Sequence, residues 1–281
     1  MADGLAYRTI LSNNIEAEFG KDLLANEIAN NDYEDEIVLN NAGSVTLNII
    51  DSVSVDDIYG EDNDGEYNSH NVTIDIDQFK KAEFPITTKQ ELQSSTKLAA
   101  KLTVKAREAL KEAEDLYVID KVISGVTENN TIGSALEPYD CSTPDKALAL
   151  VEQFKIKLNK NGVTKDNRVI IAPTEFSTLL LRSSAATAIA NSKINATDNS
   201  IRLGYVGTLY GFRIYEYDRA DDDDNANVIL ATHKKLNTKA EQFEGVEVVK
   251  NKVGETKVAP VAVYGAGVVH AKSAKALVSF Q

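Results

Sequence analysis

The chain has 281 residues, of which 43% are hydrophobic, enough to bury the core of one large domain or of two closely joined ones. Its 43 acidic side chains outnumber 30 Lys and Arg, giving a formal net charge of -13 at pH 7. This excess argues against a general nucleic-acid binder, because phosphate neutralisation requires clustered cations. The single cysteine, Cys141, excludes an internal disulfide framework and a multi-thiolate zinc site, as expected in a reducing cytoplasm.

The N-terminal region predicts an arm followed by a hairpin. Residues 1–42 are polar and Asn-rich, with a brief helical pattern around residues 19–28 and no secretory signal, and they predict an extended arm. Apolar residues then alternate with polar ones on both sides of the acidic segment GEDNDGE, which predicts two strands. Within that segment, Asp64-Gly65 indicates a tight turn, because both central positions of a type I′ turn need positive φ. We therefore expect a long hairpin with an acidic tip.

The next segment predicts one long helix, Thr88–Ser124. Thr88 and Glu91 have capping-box spacing, and Gly125 stands where a left-handed C-terminal cap is expected. Such a helix is about 55 Å long. Steps of 100° per residue place one group on an apolar stripe: Leu92, Ala99, Leu102, Ala106, Leu110, Ala113 and Tyr117. The same steps place another group on the opposite face: Lys97, Lys101, Lys105, Glu108, Glu112 and Asp115.

The rest of the chain mixes helices and strands without a regular β-α-β alternation or an internal repeat. The predicted elements are a helix over Pro144–Lys160 with Thr143 as N-cap and Gly162 beyond its end, a buried strand over Arg168–Ala172, a helix from Pro173, a pair of strands over 203–217, an acidic loop at 221–224, and mostly strands from 228 onward. Residues 258–269, the longest apolar stretch, are interrupted by proline and glycine and predict a buried strand rather than a membrane span. The fold class is therefore α+β.

No catalytic, cofactor or metal site is predicted. The three histidines have no second ligand at metal spacing, so we interpret them as structural or surface residues: His70, His233 and His270. No nucleotide-binding or nucleophile motif occurs, and Gly265-Ala-Gly267 indicates strand packing. Cys141 is expected to be a buried, inert thiol. The acidic runs offer oxygen ligands for calcium but lack the EF-hand pattern, so solvated loops are the better interpretation.

One charge pattern does favour a contact with a partner. The exposed face of the long helix is basic in its N-terminal half and acidic in its C-terminal half, the reverse of what the helix dipole favours. The acidic hairpin supplies the opposite charge, although a merely solvated helix face explains the pattern equally well. The candidate contact residues are Asp56, Asp57, Glu61, Asp62, Asp64, Lys97, Lys101 and Lys105.

The order of the elements and several local stretches resemble tailed-bacteriophage major capsid proteins of the Hong Kong 97 type. The similar stretches are NVTIDIDQFKKAEFPIT, DLYVIDKVISG, NRVIIAPTEFSTLLL, LGYVGTLYGFRIYEY and VAVYGAGVVHAKSAKALVSF, which together span about residues 35–281. The resemblance implies an N-terminal arm (1–42), an extended hairpin loop (43–86), a peripheral domain with a spine helix (87–167), an axial domain (168–227), peripheral strands (228–260) and axial C-terminal strands (261–281).

The resemblance also implies a function. A protein of this kind catalyses nothing and self-assembles as pentamers and hexamers into an icosahedral shell around double-stranded DNA, without binding a specific sequence or a membrane. Too few residues precede the hairpin for a built-in scaffolding segment, so a separate scaffolding protein and a portal are expected partners. The implied location is the virion, after assembly in the bacterial host cytoplasm. The alternatives are an encapsulin-type nanocompartment shell and, less favoured, a cytoplasmic hydrolase.

Overall fold

The computed structural model describes residues 24–32, 43–53, 67–193, 204–217, 227–250 and 255–280. The helices in these ranges are α1 (Ala25–Ile28), α2 (Thr88–Ser124), α3 (Pro144–Lys160), α4 (Thr174–Arg182) and α5 (Ala186–Lys193). The strands are β1 (Ser44–Val53), β2 (Tyr67–Asp75), β3 (Gln78–Lys81), β4 (Phe84–Thr87), β5 (Thr131–Ile132), β6 (Tyr139–Asp140), β7 (Arg168–Ala172), β8 (Tyr205–Leu209), β9 (Phe212–Glu216), β10 (Val228–His233), β11 (Asn237–Lys250), β12 (Glu255–Val268) and β13 (Ala274–Ser279). The predicted α+β class is confirmed.

The described strands form three sheets. The hairpin sheet contains β1 and β2. The central sheet has the order β5-β13-β10-β7-β9-β8, with β6 also paired to β13, and it mixes parallel and antiparallel neighbours. The long sheet is antiparallel, with β12 in the middle, β11 along one side and both β3 and β4 along the other.

The central sheet is covered by helices on both faces. Its strand β7 is buried along its whole length, and its side chains alternate between two cores. Ile170 contributes to a core with α3, whose apolar positions recur every three or four residues. Val169 and Ile171 contribute to the second core, which contains α1 and the C-terminal end of α2. Both faces of this sheet are therefore closed within one chain.

The predicted bounds of α2 and α3 are confirmed, and so are the caps of α3. The hydroxyl of Thr143 accepts the Lys146 N–H at 3.4 Å, and Gly162 has a φ of 71° just beyond the helix. The left-handed cap predicted at Gly125 is wrong, because Gly125 does not adopt positive φ. A Cβ atom there would lie 2.5 Å from Cγ2 of Val268, so glycine allows the end of α2 to approach β12 closely.

The hairpin predicted from the alternating pattern is confirmed. β1 and β2 pair antiparallel from Ser44 opposite Asp75 to Val53 opposite Tyr67. The predicted turn at Asp64-Gly65 lies outside the described residues, as does the acidic loop predicted at 221–224.

The base of the hairpin lies directly on strand β12. A Cβ atom at Gly265 would be only 2.2 Å from the carbonyl oxygen of Asp75, and one at Gly267 would be 2.9 Å from Cγ1 of Ile74. Any larger residue at these positions would push the two strands apart. The interpretation of Gly265-Ala-Gly267 as a strand-packing element is therefore confirmed.

Part of the predicted arm is buried in the body of the protein. Ile28 in α1 is fully buried, and Asn30 forms backbone hydrogen bonds with Asn237 (3.0 Å) and Lys239 (2.9 Å) on β11. The expectation of an extended arm over residues 1–42 is therefore corrected for residues 24–32. The apolar positions Leu24, Ala25 and Ile28 gain more by joining the core than by staying in solvent.

The sheets also divide the chain differently from the expected domains. β10 pairs with β7 and belongs to the central sheet, whereas the resemblance implies peripheral strands over residues 228–260. β12 continues through residue 261, where the axial C-terminal strands were expected to begin, because its ladder with β11 extends to Val268. Helix α3 packs on the central sheet rather than with α2. The hydrophobic pattern within one strand does not reveal which sheet that strand joins.

The close approach of the hairpin to β12 gives a direct test. We expect Gly265→Ala to lower the free energy of unfolding by about 1–3 kcal/mol, because the added methyl group would collide with the backbone of β2. Gly43→Ala is the matched control, since a Cβ at this other glycine of the hairpin base meets nothing within 4 Å and should change stability by less than about 0.5 kcal/mol. Chemical denaturation of the purified protein measures both. Equal effects of the two substitutions would contradict the packing described.

Candidate assembly surface

The residues predicted to form a subunit contact lie mostly outside the described part of the chain. The acidic candidates Asp56, Asp57, Glu61, Asp62 and Asp64 fall within residues 54–66, which are not described. Lys97 and Lys101 lie on α2, but their side chains are not described either. Lys105 is described: it is exposed and pairs with Glu108, one turn further along the same helix. The proposed pairing of hairpin and helix remains a prediction.

The buried face of α2 carries more polar groups than the sequence indicated. Leu110 is buried as predicted, but Thr103, Arg107 and Glu114 are each only 3% exposed on the same side of the helix. The prediction that Asp115 lies on the solvated face of α2 is wrong. Its carboxylate accepts the N–H groups of Leu24 (3.3 Å) and Ala25 (2.9 Å).

This contact caps the start of α1. The first N–H groups of any helix lack partners within the helix, and a carboxylate next to them provides the acceptor. Burial raises the pKa of Asp115, although the two N–H donors act in the opposite direction. Asp115 therefore attaches the N-terminal segment to the long helix.

A buried ion cluster joins α2 to the long sheet. Lys239 Nζ on β11 lies 2.6 Å from Oε1 of Glu114 and 3.2 Å from Oε1 of Glu241, and the Lys239 and Glu114 side chains are only 2% and 4% exposed. Burial raises the pKa of Glu114 to about 7, despite the attraction of Lys239. The pKa of Lys239 is also raised, because the two carboxylates outweigh the effect of its burial. Removing one partner of such a pair typically costs about 3–5 kcal/mol.

The exit of the hairpin is attached to the same helix. Asp77, between β2 and β3, accepts a hydrogen bond from the Tyr117 hydroxyl, and its other oxygen lies 3.6 Å from Nζ of Lys121. The Lys121 ammonium also lies 5.3 Å from the centre of the Tyr117 ring. The pKa of Asp77 is lowered, since these donors outweigh its partial burial. Helix α2 thus holds the hairpin as well as the long sheet.

The groups with possible catalytic chemistry have structural partners. His233 Nδ1 accepts the Lys235 N–H at 3.1 Å, so Nε2 carries the proton and donates to the Thr164 hydroxyl, also at 3.1 Å. Burial lowers the pKa of this histidine. Cys141 is fully buried, as predicted, and burial raises the pKa of its thiol to about 12.

No group of three or more His, Cys, Asp or Glu side chains among the described residues is placed to hold a metal ion. No helix in the described ranges is both long and apolar enough to cross a membrane.

The fold is that of known capsid subunits. No protein-family model matches the chain, and no curated protein sequence matches it. Among solved structures, a chain from Mycobacterium phage Che8 has a TM-score of 0.67 and 22% identity, covering 90% of each chain. The capsid of the cyanophage P-SCSP1u has a TM-score of 0.61 and 13% identity, and the match covers 85% of this chain and 84% of the other. A virus-like particle from Pyrococcus furiosus has a TM-score of 0.62 and 11% identity, and the match covers 96% of this chain and 99% of the other.

These structures define the class of fold. The solved capsids matched at this level are mainly of the Hong Kong 97 type, and the likeness extends over nine-tenths of the chain. The chain therefore has the Hong Kong 97-type capsid fold, as the resemblance implied.

The buried cluster predicts a pH effect. Because the pKa of Glu114 is raised from 4.5 to about 7 on folding, the folded chain holds a proton there that the unfolded chain has lost. This contribution to stability is complete below about pH 4.5 and disappears as the pH rises through about 7. We expect Glu114→Gln, which cannot ionise, to lose less stability than the wild type between about pH 5 and about pH 8. Denaturation of the unassembled subunit across this range measures the difference.

The matched control for this measurement is Glu112→Gln. Glu112 is an exposed carboxylate two residues away on the same helix, so its substitution should leave the wild-type pH profile unchanged. Parallel pH profiles for the wild type and Glu114→Gln would show that Glu114 does not titrate in this range.

Proposed function

We propose that this protein is the major capsid protein of a tailed bacteriophage, a structural subunit rather than an enzyme. The observation that carries the proposal is the structural likeness to tailed-phage capsid chains. The match with the chain from Mycobacterium phage Che8, for example, covers 90% of each chain. Under this proposal, copies of the chain form pentamers and hexamers and close into an icosahedral shell around double-stranded DNA. The protein resides in the virion after assembly in the host cytoplasm.

The hairpin sheet supports a role in assembly. A two-stranded sheet alone is at best marginally stable in water, and this one has no third strand within the described chain. Two large apolar side chains at its outer end are exposed, Ile50 by 62% and Tyr67 by 63%. A neighbouring subunit would cover these side chains and the edges of the hairpin that pair with no third described strand.

The domain roles are assigned by the same proposal. Helix α2 with the long sheet forms the peripheral domain, with α2 as its spine, and the central sheet with α3 and α4 forms the axial domain. A separate scaffolding protein and a portal act with the chain during assembly. The enclosed DNA is held by the geometry of the shell, which suits a subunit with a net charge of -13.

The nanocompartment alternative is less favoured, because phage capsids and heads predominate among the matched structures. Neighbouring genes separate the two functions: portal and terminase genes indicate a phage, whereas a gene for a cargo enzyme indicates a compartment.

The first test is assembly itself. We expect the protein, expressed alone or with the scaffolding protein of its own genome, to form pentamers, hexamers or closed shells, since the hairpin needs a neighbour to cover it. Light scattering and negative-stain microscopy measure this. A protein that stays monomeric with its own scaffolding protein present would sink the proposal.

The second test addresses the predicted contact between the acidic hairpin and the basic half of α2 in a neighbouring copy. We expect Lys101→Glu with Lys105→Glu to block shell formation while the subunit stays folded, and added Asp56→Lys and Asp57→Lys to restore it. Each exposed pair contributes only about 0.2–1 kcal/mol, but a shell repeats the contact at every subunit. Particle yield from sedimentation measures the effect.

Two outcomes of this charge swap would contradict the contact. One is normal assembly of the helix variant. The other is a variant with all four substitutions that still forms no shells, although Asp56→Lys with Asp57→Lys alone assembles normally. The contact should also weaken with salt, because the Debye length falls from about 10 Å at 0.1 M to about 3 Å at 1 M.

A further inference from the structure

A groove with an unusual charge lies beside the C-terminal end of α3. Its volume is about 420 Å³, and no carboxylate is among the residues that line it: Asn129, Asn130, Gln153, Ile156, Lys157, Lys160 and Asn161. The rim is held in place by hydrogen bonds, since Asn161 Nδ2 donates to Asn130 Oδ1 at 2.9 Å and to the Lys272 carbonyl at 3.2 Å. Ile156, 52% exposed, adds an apolar surface.

The groove is a cationic site in an acidic protein. Residues 153–165 contain four lysines and no Asp or Glu, whereas the whole chain has 43 acidic and 30 basic residues. The nearest acidic residue of α3 is Glu152, and its carboxylate accepts a hydrogen bond from Tyr210 at 2.9 Å, away from the groove. The local excess of positive charge is therefore not neutralised by α3 itself.

The strand ends that flank the acidic run at residues 221–224 lie at the opposite end of the same sheet. Residues 221–224, DDDD, connect β9 to β10, whose near ends are Glu216 and Val228. β9 runs parallel to β7 and β10 antiparallel to it. The end of β9 and the start of β10 therefore both lie where β7 ends, at Ala172. The groove lies where β7 begins, because Arg168 binds the Asn159 side chain and the Val163 carbonyl. The length of β7 separates the groove from the described ends of this segment, near Glu216 and Val228, by about 15 Å.

A basic groove at one end of the sheet and an acidic segment joined to strands at the other end favour a head-to-tail contact between copies. A contact between two different patches of identical subunits is heterologous, and its repetition closes into a ring when the rotation allows. We propose that the groove at Lys157 and Lys160 binds the acidic segment 221–224 of a second copy of this chain. The contact rests on the proposed function, since it requires assembled copies, and it concerns the axial domain rather than the hairpin.

A nucleic acid is a weaker fit as the occupant. Binding a phosphate backbone requires a continuous run of cations, and each phosphate contact must offset the repulsion from a protein with a net charge of -13. The groove offers two lysines beside amide groups, which suits one short run of carboxylates.

Carbodiimide crosslinking of assembled particles tests the contact, because it joins a carboxylate to an amine only where the two touch. Particles are assembled from a mixture of unlabelled and ¹⁵N-labelled subunits and analysed by mass spectrometry. We expect crosslinks from Lys157 or Lys160 to residues 221–224, with both isotopes in one crosslinked peptide. Crosslinks confined to peptides of a single label, or directed from these lysines to residues 56–64 instead, overturn the proposal.

Charge reversal gives the second measurement. We expect Lys157→Glu with Lys160→Glu to lower particle yield at least tenfold, and added Asp222→Lys with Asp223→Lys to restore it. Lys155→Glu is the matched control, because Lys155 lies on the same helix but its ammonium is 4.9 Å from the centre of the Tyr210 ring, outside the groove. This variant should assemble as the wild type does.

The remaining outcomes separate the two proposals. Normal particles from the Lys157 and Lys160 variant overturn the groove contact and leave the capsid function intact. A fluorescent single-stranded oligonucleotide that binds the wild type but not this variant identifies the groove as a nucleic-acid site and likewise overturns it. If the wild type forms no oligomer at all, the capsid function fails and the contact fails with it.

Discussion

Helix α2 is packed against two sheets at once, and most of the other contacts depend on this. Its middle part packs on β12 through Leu110, and its last turns pack on the central sheet through Val118 and Val122. The polar groups on its buried side have specific partners: Glu114 binds Lys239, and Asp115 caps α1. A helix fixed at these two places transmits a displacement at one sheet to the other, because packed interiors have low compressibility.

The sequence allowed the elements to be predicted well where the signal is local. The bounds of α2 and α3, the β1–β2 hairpin and the strand pair before Tyr217 all follow from periodicity, caps and turn residues that act within a few positions. The same local logic failed at Gly125, where glycine serves a contact with Val268 on a strand far along the chain. Sheet membership was missed for the same reason, since pairing partners are distant in sequence.

The buried ion pair of Glu114 and Lys239 was not predicted, although the sequence contains one indication of it. Glu114 lies four residues from both Leu110 and Val118, on the stripe that the helical period marks as apolar. A charge on such a stripe indicates a buried partner, but a single sequence does not say that this partner is Lys239. The candidate contact surface was harder still, because its proposed partner belongs to another copy of the chain. Only Lys105 of that set is described here with its side chain, and it pairs within its own helix.

The attachment of residues 24–32 has a consequence for the timing of folding. Asn30 bonds with Thr238, 208 residues later, and Asn237 donates to the carbonyl of Ile28. During synthesis these partners emerge from the ribosome about 200 residues after Asn30, and contacts that close such large loops form late. The second core on the central sheet therefore stays open until β11 has been synthesised. A nascent chain that ends before β11 lacks this core, so the synthesis of β11 precedes the moment at which a subunit becomes competent to join its neighbours.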